Sequence, residues 1–241
     1  MDQLEAMPED WSRALAVAAH PDDLEYGAAA AVALWTDAGR DVRYLLVTRG
    51  EAGIDGLPPE RSGPLREAEE RAGAALVGVS TVEFLKHRDG VIEYGLGLRR
   101  DLAAAIRRHQ PELVLTTNYH DGWPGGGWNS PDHRNTGRAL LDAIGDAGNR
   151  WIFPDLAEGG FPPWSGVKYV AVSGSPQATH AVDITSTMDR AVASLEAHQA
   201  YLDGLGDHPM ASARDFLEWM ADLTAGRFGD RRATSFELLR M

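Results

Sequence analysis

The stretch Ala14-Leu15-Ala16-Val17-Ala18-Ala19-His20-Pro21-Asp22-Asp23 decides the fold class of this chain. Residues 14–19 form a short, unbroken apolar run, which is typical of a strand buried on both faces. The residues that follow, 24–35, are rich in alanine and favour a helix. Ligands of open α/β sheets bind outside the carboxyl ends of the strands. The side chains of His20, Asp22 and Asp23 therefore lie where such a fold places its chemistry.

Strand patterns alternate with helical patterns along the rest of the chain, as in a mostly parallel sheet with helices on both faces. We predict one domain over residues 1–241, with a C-terminal extension of strands and helices. The predicted strands are 14–19, 42–48, 81–85, 113–117, 168–173 and 180–184. The predicted helices are 24–35, 64–76, 96–108, 131–144, 186–205 and 212–225.

Composition excludes several classes of protein. The 241 residues are 44% hydrophobic, enough for a full core, and the formal net charge of −13 disfavours nucleic acid or an anionic membrane as partner. The chain has no cysteine, so thiolate metal sites and cysteine nucleophiles are excluded. No apolar stretch approaches the length of a membrane span and no signal peptide is evident, so we expect a cytoplasmic protein. A homo-oligomer is compatible with the sequence.

The side chains of His20 and Asp23 can turn toward one divalent cation while Asp22 stays free as a general base. A catalytic zinc site has three protein ligands and an open position, so a third ligand must come from elsewhere. His133 follows the strand at 113–117 and completes the set if both loops leave the same sheet edge. Two nitrogens and one oxygen suit one Zn²⁺ per chain, with Fe²⁺, Co²⁺ and Mn²⁺ as alternatives. The alternative is that these residues are structural, because an Asp-Asp pair is typical of a turn or helix cap and a histidine at a helix start is often structural.

Weaker candidates surround these residues. Arg49 follows the second strand and can bind substrate, orient Asp22 or another carboxylate, or form a surface salt bridge. His120 can donate a hydrogen bond to an oxyanion, and His180 can enter the cleft. The loop from Trp123 to Trp128 is either a sugar-stacking lid or a packed loop. There is no complete dinucleotide fingerprint and no Gly-x-Ser-x-Gly elbow.

Taken together, these segments resemble the LmbE-like, or PIG-L, family of zinc-dependent de-N-acetylases. The resemblance covers most of the chain. It rests on the AHPDD motif at residues 19–23, a TRGE-type motif at 48–53 and the PDH motif at 131–133. Weaker matches are Arg66-Glu67, Gly78-Val79, Phe84-Leu85, Asp89-Gly90 and the TH-x-x-D segment at 179–183.

The resemblance implies a Rossmann-like sheet that binds no dinucleotide. It also implies zinc ligation by His20, Asp23 and His133, general-base catalysis by Asp22, and a substrate-pocket position for Arg49. Known substrates of the family are mostly N-acetylglucosamine conjugates.

One departure from the family pattern affects the oxyanion. Many members have a histidine that helps to stabilise the oxyanion at the position of Ser130. A serine hydroxyl carries no charge, so either the metal alone carries the oxyanion or His120, His180 or the amide of Asn129 supplies the missing donor, with His120 favoured.

The sequence thus predicts a metal-dependent hydrolase that removes an N-acetyl or other N-acyl group from an amino-sugar conjugate. One alternative is a catalytically silent homologue that binds a metal or a sugar. Another is an amidase that acts on a thiol conjugate or a natural product.

Overall fold

The computed structural model describes residues 3–241. Its strands are β1 (Glu5–Ala6), β2 (Arg13–Ala18), β3 (Asp41–Leu46), β4 (Val82–Phe84), β5 (Leu113–Thr117), β6 (Tyr169–Ser173), β7 (His180–Asp183) and β8 (Ala233–Arg240). Its helices are α1 (Asp23–Gly27), α2 (Ala29–Asp37), α3 (Pro59–Leu76), α4 (Leu96–His109), α5 (Pro131–Gly148), α6 (Pro154–Glu158), α7 (Met188–Glu196), α8 (Gln199–Gly204) and α9 (Ala213–Ala225). Over this range no helix is both long and apolar enough to cross a lipid bilayer.

The strands form one mixed sheet in the order β1-β7-β8-β6-β5-β2-β3-β4. Every pairing is parallel except those that β8 makes with β6 and β7. The chain proceeds from β2 outward through β3 to β4 and then returns to place β5 on the other side of β2. This reversal is a topological switch point, and ligands of open α/β sheets bind at such a point outside the carboxyl ends of the strands.

Residues of β2 alternate between two hydrophobic cores, because successive strand side chains point to opposite faces of the sheet. Ala14, Ala16 and Ala18 belong to the core that also contains side chains of α1, α2, α3, α7 and α9. Leu15 and Val17 belong to the core formed with α4, α5 and α6. Both faces of the central strand are therefore buried under helices, which explains its unbroken apolar run.

The predicted α/β class with a mostly parallel sheet is confirmed, while several element bounds are wrong. The helix predicted at 24–35 breaks at Ala28, whose ψ of −8° and φ of −150° are not helical. The helix predicted at 186–205 breaks at Ala197 and His198, because the His198 backbone has a ψ of 46°. α3 begins at Pro59 and continues through Pro64, where the sequence prediction had placed its start. Strands β1 and β8 and the short helix α6 were not predicted.

Candidate metal centre

The loops after β2 and β5 bring three candidate ligands together at the switch point. His20 lies just after β2, Asp23 begins α1, and His133 lies in the first turn of α5. Ser130 is the N-cap of α5, and its Oγ accepts the backbone N–H of His133 at 3.1 Å. This cap and the proline at the first helical position set where α5 begins, and so where His133 points.

We call His20, Asp23 and His133 the ligand cluster. His133 Nε2 lies 3.0 Å from Asp23 Oδ1, and His20 Nδ1 lies 3.5 Å from Asp23 Oδ2. One potential ligand atom of each residue lies within 4.8 Å of the others. Two imidazole nitrogens and a carboxylate oxygen that converge in this way fit a divalent transition metal, so the residues present suit the predicted ion.

The second nitrogen of the His20 ring is held by two carboxylates. Nε2 lies 3.1 Å from Asp132 Oδ2 and 3.2 Å from Asp89 Oδ1. Asp132 is itself fixed, because it accepts the backbone N–H groups of Gly90 at 2.7 Å and Ile92 at 3.0 Å. A carboxylate on the far nitrogen of a ligating histidine fixes the ring orientation and makes the ligand more basic. These contacts leave Nδ1 of His20 to face Asp23.

The second nitrogen of the His133 ring is held by Asn129, whose Oδ1 lies 2.9 Å from His133 Nδ1. The amide of Asn129 donates through Nδ2 to the carbonyls of Asn118 at 2.7 Å and His120 at 3.0 Å. These two bonds fix which end of the amide faces His133. The suggestion that this amide donates to an oxyanion is therefore not supported, because both of its N–H groups already bond the backbone.

Replacing Asn129 with alanine is expected to weaken metal binding by about 10–100-fold, the usual scale for losing the partner of a ligating histidine. Without Oδ1, the Nδ1–H of His133 has no acceptor and the ring is free to rotate. Competition with a fluorescent zinc chelator measures the change, and Asn149→Ala at the exposed end of α5 is the control. Unchanged zinc affinity in Asn129→Ala would show that Asn129 has no orienting role.

Asp22 is held beside the ligand cluster in an unusual backbone conformation. Its φ of 89° is in the left-handed region, which is costly for a residue other than glycine. Arg66 Nη2 donates to Asp22 Oδ2 at 2.7 Å, and the backbone N–H of Asp22 donates to Glu70 Oε2 at 3.1 Å. These contacts fix the carboxylate without using it as a ligand.

Burial and neighbouring charges separate the two adjacent aspartates. Burial raises the pKa of Asp22 to about 6, against the opposing charge of Arg66. Burial acts in the same direction on Asp23, but the imidazoles of His133 and His20 outweigh it and hold the pKa of Asp23 well below its usual range. Two neighbouring carboxyl groups with diverging pKa values indicate different roles, one for binding a cation and one for moving a proton.

Arg49 does not contact Asp22. Its partly exposed side chain donates to Glu67, and its backbone N–H donates to Glu51. The arginine that orients Asp22 is Arg66. The prediction that Arg49 binds substrate remains untested.

The structure does not bring His120 to the ligand cluster. Its Nε2 lies 2.7 Å from Glu237 Oε2, and its ring stacks on Tyr119 with a centroid distance of 4.5 Å. Glu237 belongs to β8, a strand that the sequence analysis did not predict. The expectation that His120 serves the site is therefore not supported by these contacts, because its ring is drawn toward the sheet.

His180 lies farther away. Strands β8, β6 and β5 separate β7 from β2, which corresponds to about 19 Å at the usual strand spacing. Its Nδ1 pairs with Thr179 Oγ1 at 2.8 Å, and its Nε2 faces Glu5. The expectation that His180 enters the cleft does not agree with this position.

Two tryptophans lie close to the site. Trp123 packs edge-on against the His133 ring with a centroid distance of 5.7 Å. Trp128 is 72% exposed, and Arg134 lies over its ring. The loop is therefore packed at one end and open to solvent at the other, and its role as a sugar-stacking lid stays a prediction.

Sequence reasoning assigned no role to the residues that orient the site. Asp89, Asp132, Arg66 and Glu70 act on His20 and Asp22, although three of the four lie in segments that matched the family. A signal was present: charged side chains on α3 fall on its buried side, where they need partners.

Comparison with known proteins agrees with this geometry. The sequence model of the PIG-L family, described as GlcNAc-PI de-N-acetylase, matches residues 15–144, which is more than half of the chain. This chain belongs to the PIG-L family. The matched range contains the ligand cluster, Asp22 and all of the residues that orient them.

Two proteins that are similar to this chain carry deacetylase names. Diacetylchitobiose deacetylase of Thermococcus kodakarensis is 30% identical over 194 residues, covering 79% of this chain and 70% of that protein. The 1D-myo-inositol 2-acetamido-2-deoxy-alpha-D-glucopyranoside deacetylase of Kineococcus radiotolerans is 34% identical, covering 65% of this chain and 50% of that protein. This PIG-L chain therefore spans only half the length of the second relative.

A solved structure has the same fold over nearly the whole chain. N,N'-diacetylchitobiose deacetylase from Pyrococcus horikoshii superposes with a TM-score of 0.85 at 24% identity, covering 96% of this chain and 85% of that chain. At this identity the likeness speaks for the fold alone.

Proposed function

We propose that this chain is a metal-dependent hydrolase that removes an N-acetyl or other N-acyl group from an amino-sugar conjugate. The observation that carries the proposal is the ligand cluster, in which both imidazoles have their far nitrogens held and their near nitrogens aimed at Asp23. Membership of the PIG-L family and the deacetylase names of the relatives support the reaction class and the substrate class.

We assign His20, Asp23 and His133 as the ligands, and zinc as the ion that this donor set favours. A zinc ion bound there supplies Lewis-acid activation of water and of the amide carbonyl. The chain's contribution is to hold both imidazole rings in fixed orientations and to keep Asp23 ionised. Asp89, Asp132 and Asn129 do the first by hydrogen bonding, and the two imidazoles do the second by their proximity.

Asp22 acts as the general base in this scheme. Its pKa of about 6, set by burial, leaves the carboxylate mostly ionised at neutral pH but still able to hold a proton. A base of this strength can accept the proton of the attacking water and later pass it to the leaving amide nitrogen. Arg66 donates to Oδ2 of Asp22, so Asp22 would carry the proton on its Oδ1.

Ser130 is the remaining candidate for the oxyanion donor. It occupies the position of the family histidine, and its Oγ accepts the His133 N–H while its own hydrogen stays available to donate. His120 and Asn129 both have other partners.

Ser130→Gly is expected to lower kcat by about 10²–10³-fold at unchanged metal content, the cost of losing one oxyanion donor. Glycine is nearly as good an N-cap as serine, so α5 should stay in place. Ser130→Thr keeps the hydroxyl and is the control. If Ser130→Gly turns over like the wild type, the metal alone stabilises the oxyanion.

Acetate release from a panel of N-acetylated compounds tests the proposed function. The panel holds diacetylchitobiose, the N-acetylglucosaminyl inositol, a thiol conjugate and a simple N-acetyl peptide. Release from the sugars alone supports the proposal, and release from the thiol conjugate or peptide alone favours the amidase alternative. A protein with full metal content that releases no acetate would be the silent homologue. A cytoplasmic location and a homo-oligomeric state remain predictions.

A further inference from the structure

Behind the ligand cluster lies a second group of metal-binding side chains, Glu25, Glu70 and His198, which we call the inner cluster. Glu25 lies in α1, Glu70 in α3 and His198 between α7 and α8. All three side chains are fully buried, and one potential ligand atom of each lies within 4.8 Å of the others. Glu70 also accepts the backbone N–H of Asp22, so the inner cluster is next to the candidate base.

The inner cluster has unmet hydrogen-bonding capacity. Both ring nitrogens of His198, Glu25 Oε2, Glu70 Oε1 and the hydroxyl of Tyr44 are buried and have no hydrogen-bond partner within residues 3–241. Buried polar atoms nearly always have partners, so each such atom needs an explanation. Several of them at one place indicate a bound species between them.

The spacing of the inner cluster fits ligands around one ion. His198 Nε2 lies 3.7 Å from Glu25 Oε2 and 3.7 Å from Glu70 Oε2, too far for a hydrogen bond. Ligand atoms at about 2.1 Å from a shared ion are about 3.4–3.6 Å apart at tetrahedral to trigonal angles.

Charge favours a cation over water alone. Two carboxylates side by side in a dry interior repel each other, and buried charges require compensation. Arg66 is close enough to influence Glu70 and His198, but its Nη2 donates to Asp22 and to the carbonyl of Pro21. Burial raises the pKa of Glu25 and Glu70, so protons together with water would neutralise and satisfy the pair, whereas a divalent cation would do both alone.

Gly73 of α3 leaves the space open. A Cβ at this position would come within 3.2 Å of His198 Nε2 and 3.4 Å of Glu25 Oε1. It would also meet the carbonyl oxygen of Ser194 at 2.8 Å. Any side chain at position 73 would therefore press into the place where the three groups converge.

We propose that the inner cluster binds a second divalent transition-metal ion through one imidazole nitrogen and two carboxylates. One nitrogen and two oxygens suit zinc or manganese. All three side chains are fully buried, so we expect the ion to enter during folding and to exchange slowly. The metal content would then be two ions per chain instead of the one predicted from sequence.

Metal counting on proteins purified without chelator from zinc-supplemented cells tests this proposal. Inductively coupled plasma mass spectrometry should give two zinc ions per wild-type chain and one in His133→Ala, which lacks a ligand of the first site. The double variant His133→Ala with His198→Gln should hold none. His133→Ala with His87→Gln is the matched control, because His87 lies outside both clusters, and it should keep one.

Two results would overturn the proposal. One is a wild-type chain with a single zinc and a metal-free His133→Ala, which would mean that protons and water fill the inner cluster. The other is a zinc ion that persists when His198→Gln is added, which would place it elsewhere. If His198→Gln does not fold, as judged by circular dichroism, Glu25→Gln replaces it in the same comparison.

Discussion

A His133→Ala variant is expected to lose the metal ion that we propose for the ligand cluster and with it at least about 10³-fold of the deacetylase activity. The metal contributes several kcal/mol of transition-state stabilisation, and each 1.36 kcal/mol is a factor of ten in rate. His133 provides one of the two imidazole nitrogens that face Asp23, so its loss leaves only two ligands. Metal content by mass spectrometry and acetate release with diacetylchitobiose measure the two effects.

His87→Ala is the control for this variant, because His87 pairs with Asp101 and contacts no residue of the ligand cluster. It should keep both metal and activity. A His133→Ala protein that retains the full zinc content of the wild type and turns over normally would remove His133 from the site.

Asp22→Asn is expected to lower kcat by about 10²–10⁴-fold while the metal content stays at the wild-type value. Asparagine has the shape of aspartate and can still accept the Arg66 hydrogen bond, but it cannot take up the proton of water. The separation of kcat from metal content distinguishes a base from a ligand.

Asp121→Asn, an exposed aspartate that pairs with Arg134 and Arg138, is the matched control for removing one carboxylate. Loss of zinc in Asp22→Asn would mean that Asp22 holds the metal site together and would leave its role as a base unsupported. Wild-type turnover would exclude that role.

Local patterns determined much of the fold. Helices cover both faces of β2, so its side chains at 14–18 are all apolar. The apolar run at 14–19 therefore predicts the central strand. The strand at 113–117 was predicted with its observed bounds. The juxtaposition of His20 with His133 followed from a general rule, since carboxyl ends of parallel strands share one edge and the switch point lies between β2 and β5.

Elements without such a pattern could not be predicted. Strand β8 is antiparallel and mostly half-buried, so its residues show no unbroken apolar run. Because β8 was not predicted, Glu237 was not foreseen as the partner of His120. The role assigned to His120 rested on closeness along the loop, and it stays a prediction.

The sequence alone determined which residues stand at the ends of which strands, because strand periodicity, helix caps and motifs are properties of neighbours along the chain. Only the tertiary structure decided how those residues are oriented. Asp132 lies 112 positions from His20, Arg66 lies 44 from Asp22, and the inner cluster joins α1, α3 and the junction between α7 and α8. Such partners are chosen by packing between distant segments, where a buried polar atom must find whichever partner the fold brings within about 3 Å.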